Sequence, residues 1–301
     1  MRRVSQGVIK PLAVVALAAA GAVALSGCSG SATPKPSLPS PAVSPGGGGD
    51  QGGGAVPVVN GGTPSAALWA KWGLKPLAVA PPPPAVPPIR LSRSGKVPVI
   101  SDVPTRQKIV FITIDDGAEK DPRFVQMMRD LRVPFTMFLT RDIIKNDYAY
   151  FKPLQALGNS IQNHTLSHPV MPSLSLSAQK AQICGDEQTL RQQYGTTPYL
   201  FRPPYGAGAY TANLNAAVQA CGPRAIVLWR ESMQIKGLQY QDPKKQLHPG
   251  DIILAHFRGP SELRGETMVH MFQNLLRRIE EQGFAVARLD DYVAPPSAAT
   301  G

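Results

Sequence analysis

The sequence predicts an α/β fold in which about seven strands form a parallel sheet closed into a barrel. Between residues 89 and 294, short apolar β-rich runs alternate with segments of helical periodicity. This alternation is typical of a parallel sheet covered by helices. No Gly-x-Gly-x-x-Gly motif follows the first apolar run, which disfavours a dinucleotide-binding sheet. With about seven strand–helix units, a barrel is favoured over an open sheet.

The elements follow one another in a regular order along this region. Ser177 is a candidate helix N-cap, and Gly283 is a candidate helix stop. Strands are predicted at 108–114, 134–139, 160–162, 199–201, 225–229, 251–255 and 284–289, and helices at 122–131, 150–157, 177–194, 209–220 and 266–282.

The first 27 residues are predicted to be an export signal. A basic start precedes an apolar run of about 15 residues at 11–25, as in secretory signals, and this run is shorter than the ~20 residues that span a bilayer. An uncleaved membrane anchor is the alternative. The run ends in Leu-Ser-Gly before Cys28, which resembles the lipobox of bacterial lipoproteins. That resemblance implies that Cys28 is lipidated and anchors the mature protein to the outside of the bacterial cell membrane.

Residues 28–88 are predicted to be a low-complexity, disordered tether. Positions 29–88 hold 14 Pro and 11 Gly, and such a composition buries too little apolar surface to offset the entropy of ordering. Trp69 and Trp72 interrupt the pattern. They predict either a patch that stacks on a sugar or partner, or a short helical turn docked on the main domain. Residues 89–294 are long enough for one core, and 295–301 form a tail.

The positive charge is spread along the chain. The net charge is +11, but the region 89–294 holds 25 basic and 19 acidic residues, with no basic run longer than two. A nucleic-acid partner is therefore not expected, because it would need a clustered basic stripe. The mild excess suits an anionic cell envelope, and we expect a monomer.

The three cysteines comprise one candidate for lipidation and one candidate disulfide pair. If Cys28 is lipidated, Cys184 and Cys221 remain as a pair, and such a pair can oxidise outside the cytoplasm. In the chain-entropy model, closing their separation of 37 residues would stabilise the fold by roughly 4 kcal/mol. Two buried free thiols are the alternative.

Unusual polar residues stand at the predicted strand ends, where a parallel β/α fold gathers its active groups. Asp115 and Asp116 end the first strand, before a glycine that permits a sharp turn. His164 and His168 follow the third strand, and their spacing of four is common among metal ligands. Taken singly, these residues could also be a helix cap and polar loop histidines.

Two further strand ends complete the set with Arg202 and His256. Two histidines and one carboxylate have the composition of a catalytic zinc site. The second carboxylate could accept a proton from the attacking water, Arg202 could hold it ionised, and His256 could donate a proton to a leaving group. Together these residues predict a metal-assisted hydrolase.

Four segments, 113–117, 164–168, 202–206 and 254–256, resemble in order and spacing the motifs of the polysaccharide deacetylases, carbohydrate esterase family four. The resemblance covers about 105–293. It implies an irregular (β/α) barrel of about seven strands. It also implies an enzyme that removes acetyl groups from N-acetylglucosamine units of peptidoglycan or chitin, or from acetylated xylan.

The resemblance also implies a role for each site residue. Asp115 would be the base, which Arg202 orients, and His256 the acid. The backbone amide of Tyr205 would join the metal in stabilising the oxyanion. The ligands of a divalent metal, Zn²⁺ or alternatively Co²⁺, would be Asp116, His164 and His168.

One segment departs from the family pattern. The strand ending at Trp229, a candidate wall of the substrate site, usually runs on to aspartates, but those positions hold Ser232 and Ile235. Glu231 is one residue off and is expected to face the other side. Two hypotheses follow. The first is a membrane-tethered deacetylase of a cell-wall polysaccharide, with peptidoglycan N-acetylglucosamine as the expected substrate. The second is a low-turnover protein that binds cell-wall glycan on the same scaffold.

Overall fold

The computed structural model describes residues 63–296. The predicted signal peptide, the lipobox with Cys28 and most of the predicted tether lie outside the described residues, as do the last five positions. Within 63–296, no helix combines the length and the apolar character needed to cross a membrane.

Short strands and helices alternate along this part of the chain, as the sequence predicts. The helices are α1 Ala66–Lys71, α2 Pro122–Leu131, α3 Arg141–Ile144, α4 Lys152–Ala156, α5 Leu176–Tyr194, α6 Ala212–Ala220 and α7 Met268–Glu281. The strands are β1 Ile89–Arg90, β2 Val99–Ile100, β3 Ile109–Asp116, β4 Thr136–Leu139, β5 Ser160–Asn163, β6 Leu200–Phe201, β7 Ala225–Val227, β8 Glu231–Gln234, β9 Gly237–Tyr240, β10 Ile252–His256, β11 Ala285–Val286 and β12 Val293–Ala294.

The main sheet has the order β2-β7-β6-β5-β4-β3-β10-β8-β9. All neighbours are parallel except β8 and β9, which form an antiparallel hairpin. An antiparallel bridge between Asp102 and Asp251 joins the segment after β2 to the start of β10. The sheet therefore curls back on itself as an irregular (β/α) barrel, which is the predicted fold class.

Strand β3 explains where the site lies. Its eight residues are all buried, as expected for a parallel strand covered on both faces. Val110, Ile112 and Ile114 pack in the layer that also contains residues of α2 and α7. Ile109 and Phe111 pack in the second layer. Because side chains alternate along a strand, Thr113 and Asp115 continue the second row toward the end of the barrel.

The segment before residue 89 is partly packed on the domain. Trp69 in α1 and Trp72 after it are nearly buried and belong to the same core as α2 and α7. Trp72 Nε1 and Lys71 Nζ donate to Oδ2 of Asp130, at 2.9 and 2.6 Å. The structure therefore shows the docked helical turn, and both indoles are withdrawn from an exposed stacking patch.

Some boundaries differ from the sequence prediction. The hydroxyl of Ser175 accepts from Ala178 N at 3.3 Å and caps α5, so the N-cap lies two residues before the predicted Ser177. The strand predicted at 225–229 ends at Val227. The sequence does not predict the β8–β9 hairpin, because its alternation is weak and half of its residues are polar.

Cys184 and Cys221 form a disulfide with a Cα–Cα distance of 5.1 Å. The bond ties α5 to the residue that follows α6. Of the two alternatives that the sequence leaves open, the described structure contains the bonded pair.

Candidate active site

Both carboxylates at the end of β3 reach the same point. Regular alternation would send Asp115 and Asp116 to opposite faces, but Asp116 has a φ of 72° and Gly117 a φ of 95°. This left-handed turn breaks the alternation. Oδ2 of Asp115 and Oδ1 of Asp116 lie 3.6 and 3.4 Å from Nε2 of His164. Glycine is needed at 117, because a side chain there would collide with Ile144.

The loop after β5 brings in the two histidines. Thr165 and His168 also have positive φ values, 76° and 56°. Oγ1 of Thr165 accepts from His168 N at 3.0 Å, and Asn163 Oδ1 accepts from Thr165 N at 3.1 Å. These bonds hold the loop so that Nε2 of His168 lies 3.2 Å from Oδ1 of Asp116.

Asp116, His164 and His168 form a three-donor cluster whose ligand atoms all lie within 4.8 Å of one another. Nδ1 of His164 lies 2.7 Å from the carbonyl oxygen of Arg202. Because a carbonyl oxygen only accepts hydrogen bonds, Nδ1 of His164 carries the hydrogen of the neutral ring. Its Nε2 therefore has a free lone pair, which is directed toward the carboxylate oxygens. Oδ1 of Asp116 is buried and has no hydrogen-bond partner among the described residues.

The electrostatics of this cluster favour a cation. Burial opposes ionisation of Asp116, but His164, His168 and His256 together hold the pKa of Asp116 below its usual range. Burial also opposes the charge on His164, yet Asp115 and Asp116 raise its pKa. Converging lone pairs from two imidazoles and one carboxylate are the donor set of a catalytic zinc site. The residues present therefore fit a divalent transition metal.

Arg202 is fully buried and fixes Asp115. Its Nη1 donates to Oδ1 of Asp115 at 2.6 Å and to Oγ1 of Thr113 at 2.8 Å. Nε and Nη2 donate to the carbonyl oxygens of Val227 and Leu228, at 3.0 and 3.2 Å. Burial lowers the pKa of Arg202, and the charge of Asp115 opposes this shift. A buried guanidinium with this many partners fixes the orientation of one carboxylate.

His256 ends β10 and pairs directly with Asp115 across the parallel ladder. Burial lowers the pKa of His256, and the negative charges of Asp115 and Asp116 only partly oppose this shift. The acid and base of the sequence prediction are therefore neighbours on adjacent strands.

The register of β8 explains why His256 lacks a carboxylate from that strand. Glu231 pairs with Ile253, and Ser232 pairs with Leu254, so Ser232 shares the face of His256 and Glu231 points to the other face. This agrees with the sequence-based expectation for Glu231. Burial and the nearby Asp251 raise the pKa of Glu231 to about 9. Ile235 lies in the turn between β8 and β9 and is exposed.

Comparison with known proteins identifies the family. A model of the polysaccharide deacetylase family matches residues 102–226, which includes both aspartates, both histidines and Arg202. An uncharacterized protein of Streptomyces coelicolor is 39% identical over 197 residues, which are 65% of this chain and 77% of that protein. The chain belongs to the polysaccharide deacetylase family, carbohydrate esterase family four.

Two further comparisons give a sequence relative and a solved structure of similar fold. A peptidoglycan-N-acetylglucosamine deacetylase of Bacillus cereus is 26% identical over 203 residues, which are 61% of this chain and 87% of that protein. The crystal structure of a family-four pseudoenzyme from Bacillus anthracis has a TM-score of 0.53. It is 18% identical and covers 67% of this chain and 71% of that one, which shows a shared fold.

The remaining predicted residues of this deacetylase-family site lie at its rim. Tyr205 has a φ of 62°, is 68% exposed, and places its ring 4.8 Å from that of His168. Trp229 is half-buried and packs close to Gly206. The Arg202 guanidinium lies 5.6 Å from the Trp229 ring, so Trp229 borders the buried charge pair on one side and open space on the other.

Sequence reasoning missed three polar neighbours. Thr113 donates to the carbonyl oxygen of Ile253 at 2.8 Å while it accepts from Arg202, and its position two residues before Asp115 could have revealed it. Asp186 in α5 accepts from His164 N at 3.1 Å, and nothing in the helical pattern distinguishes it. Nη2 of Arg258 lies 3.8 Å from Oδ2 of Asp116; this residue follows β10, and only the structure shows where it lies.

Proposed function

We propose that this protein is a metal-dependent hydrolase that removes N-acetyl groups from a cell-wall polysaccharide, with N-acetylglucosamine units of peptidoglycan as the substrate. One observation carries the proposal. A carboxylate held by a buried arginine lies beside a separate cluster of one carboxylate and two histidines. A hydrolase needs both a general base and a site that polarises a carbonyl, and this arrangement supplies the residues for each.

Asp116, His164 and His168 would hold the metal, and Zn²⁺ fits their donor set, with Co²⁺ as a substitute. A metal bound there would polarise the acetyl carbonyl and lower the pKa of water. Asp115 would accept a proton from the attacking water, and its hydrogen bond from Arg202 would orient it for that step. His256 would donate a proton to the departing sugar nitrogen, so that the amine leaves as a neutral group. The backbone amide of Tyr205 would donate to the oxyanion.

We also propose that the protein works outside the cytoplasm, anchored to the cell membrane through lipid on Cys28. The lipobox-like sequence supports this location, and so does the Cys184–Cys221 disulfide, because structural disulfides persist in oxidising compartments. Replacing Cys28 by serine is expected to release the protein from the membrane fraction or to leave its signal uncleaved. A variant that fractionates and matures like the wild type would contradict the anchor. The expectation of a monomer remains a prediction.

The second candidate function is glycan binding with little turnover. It is favoured by Ser232, which stands on the face of His256 where the family pattern has an acid. The Bacillus anthracis protein that shares this fold is a family-four pseudoenzyme, which supports a protein of this fold without turnover.

A substrate panel separates these candidates. Acetate release is measured from peptidoglycan, from N-acetylglucosamine oligomers and from acetylated xylan, each with zinc-loaded protein. We expect release from peptidoglycan above that from the other two. Release from acetylxylan alone would replace the proposed substrate by an O-acetylated one. Retention of protein on peptidoglycan without any acetate release would favour the binding function.

A further inference from the structure

Helix α5 supports the loop that holds both candidate metal-ligating histidines. Residues 182–186, in the middle of this helix, form hydrogen bonds with the loop from residue 163 to residue 167. A loop that holds a metal needs a fixed backbone, because its ligand atoms must stay close to their productive geometry. We call residues 182–186 the support turn.

The support turn binds the start of the loop through two buried side chains. Nδ2 of Asn163 donates to the carbonyl oxygen of Ile183 at 2.8 Å. Oδ2 of Asp186 accepts from His164 N at 3.1 Å, and the same amide lies 3.2 Å from the carbonyl oxygen of Leu139 in β4. The backbone of His164 is therefore held between β4 and α5.

The support turn also binds the end of the loop. The carbonyl oxygen of Gln182 accepts from Leu166 N at 3.1 Å. Oε1 of Gln182 accepts from Ser167 N, and its Nε2 donates to Oγ of Ser167, both at 3.0 Å. Leu166 packs so closely on the helix that a side chain at Gly185 would collide with it. The residue before His168 is thus fixed by two reciprocal hydrogen bonds.

Asp186 is the charged residue of the support turn, and packing alone does not explain it. Its side chain is 0% exposed, and its Oδ1 has no hydrogen-bond partner among the described residues. Burying a carboxyl group is unfavourable unless it is hydrogen-bonded, and the amide of His164 supplies such a bond. An apolar residue of similar size would fill the position without that cost, so we look for its role in what it holds.

We propose that Asp186 is a positioning residue for the metal site and that it acts by holding the backbone of His164. The carbonyl oxygen of Arg202 holds Nδ1 of the His164 ring separately, at 2.7 Å. With the backbone and the ring both bound, Nε2 of His164 is directed toward Oδ1 of Asp116. Groups that orient a metal ligand typically change metal affinity or activity by about 10- to 100-fold. This inference rests on the proposed metal-dependent function.

The test is the zinc affinity of the full chain, measured by competition with a chromophoric chelator. Asp186→Ala removes an acceptor of His164 N and should weaken zinc binding by about 10- to 100-fold. Asp186→Asn keeps an acceptor oxygen on a side chain of the same shape, so its zinc affinity should stay within about threefold of the wild type. Asp186→Leu fills the same space without an acceptor. It is the second variant in case the alanine protein does not fold, and its zinc affinity should fall as much.

Gln179→Ala is the matched control on the same helix. Gln179 is 2% exposed, and its Nε2 donates to the carbonyl oxygens of Met171 and Leu174, beyond the histidine loop. Its removal leaves buried polar groups unpaired, as Asp186→Ala does, so both zinc-free variants should be less stable in urea than the wild type. Of the two, only Asp186→Ala should bind zinc more weakly.

Three results separate the inference from its alternatives. Equal weakening of zinc binding in Gln179→Ala and Asp186→Ala would overturn the positioning role, because it would reflect general instability. Zinc affinities of Asp186→Ala and Asp186→Leu within about threefold of the wild type, or an Asp186→Asn affinity as low as that of Asp186→Ala, would also overturn it. A wild type that binds no zinc would instead overturn the proposed metal-dependent function, and this inference with it.

Discussion

Nη1 of Arg202 donates a 2.6 Å hydrogen bond to Oδ1 of Asp115, and both side chains are almost completely buried. The two residues are 87 positions apart in the sequence. A charge-assisted hydrogen bond of this kind fixes the orientation of the carboxylate, and a general base must be held within reach of the proton that it accepts. The partner of each carboxylate therefore distinguishes the two aspartates. Asp115 is bound by Arg202, whereas Oδ1 of Asp116 faces both histidines.

The first prediction concerns this separation of roles. Asp115→Asn should bind as much zinc as the wild type and lose about 10²- to 10⁴-fold in the rate of acetate release, because the amide cannot accept the proton. The measurement combines metal analysis with steady-state kinetics. Asp116→Asn is the matched variant and should lose the metal as well. If the Asp115→Asn protein released acetate at the wild-type rate, another residue would be the general base.

The second prediction concerns pH. His256 acts as an acid only when protonated, and burial lowers its pKa. As the pH rises through that lowered pKa the active form is lost, so the alkaline limb of kcat/KM should lie lower than in a site where a carboxylate supports the histidine. Ser232→Asp adds a negative charge on the face of His256 and should move this limb to higher pH.

Ser232→Asn is the control for that experiment, because it adds the same bulk without the charge. Its alkaline limb should stay where the wild type has it. If Ser232→Asp and Ser232→Asn gave the same pH profile, the missing acid would not explain the titration of His256.

The sequence predicts much of this site because its polar residues end strands. The apolar run before Asp115 is long enough to predict a buried strand. The spacing of four between the two histidines is common among metal ligands. The convergence of the carboxylates was less predictable, since it depends on the positive φ of Asp116. Only the glycine at 117 hints at that turn.

Other features had no local signal. Strands β1, β2 and β12 have two residues each, too few for a period to appear. Strand β8 alternates weakly because Glu231 is polar, although it shares the buried face of the strand with Met233. The contact between Arg202 and Asp115 depends on the order of strands in the sheet, which a single sequence suggests only through the resemblance to a family.

The third prediction concerns the segment before the barrel. Because Trp69 packs in the core with α2 and α7, Trp69→Ala should lower the free energy of unfolding by about 3 kcal/mol or more. Its zinc content should be unchanged. Val79→Ala, an exposed position in the same segment, is the control and should change stability by less than about 0.5 kcal/mol. Equal stability of the two variants would show that α1 does not contribute to the core.

The fourth prediction concerns the disulfide. Because the bond closes a separation of 37 residues, replacing both Cys184 and Cys221 by serine should lower the free energy of unfolding in urea by roughly 4 kcal/mol. Reduction of the wild type with dithiothreitol should give a similar loss. A loss below about 1 kcal/mol in both experiments would contradict the chain-entropy account.

The central claim is that this family member is an active, metal-dependent deacetylase. The most direct measurement is acetate release from peptidoglycan by one preparation of the protein, assayed as zinc-loaded, after chelation, and after zinc is restored. The account predicts acetate release by the zinc-loaded protein, loss of that release on chelation, and its recovery when zinc is restored. The His164→Ala variant should release no acetate under any of the three conditions. Zinc-loaded protein that releases no acetate, or chelated protein that releases as much, would contradict it.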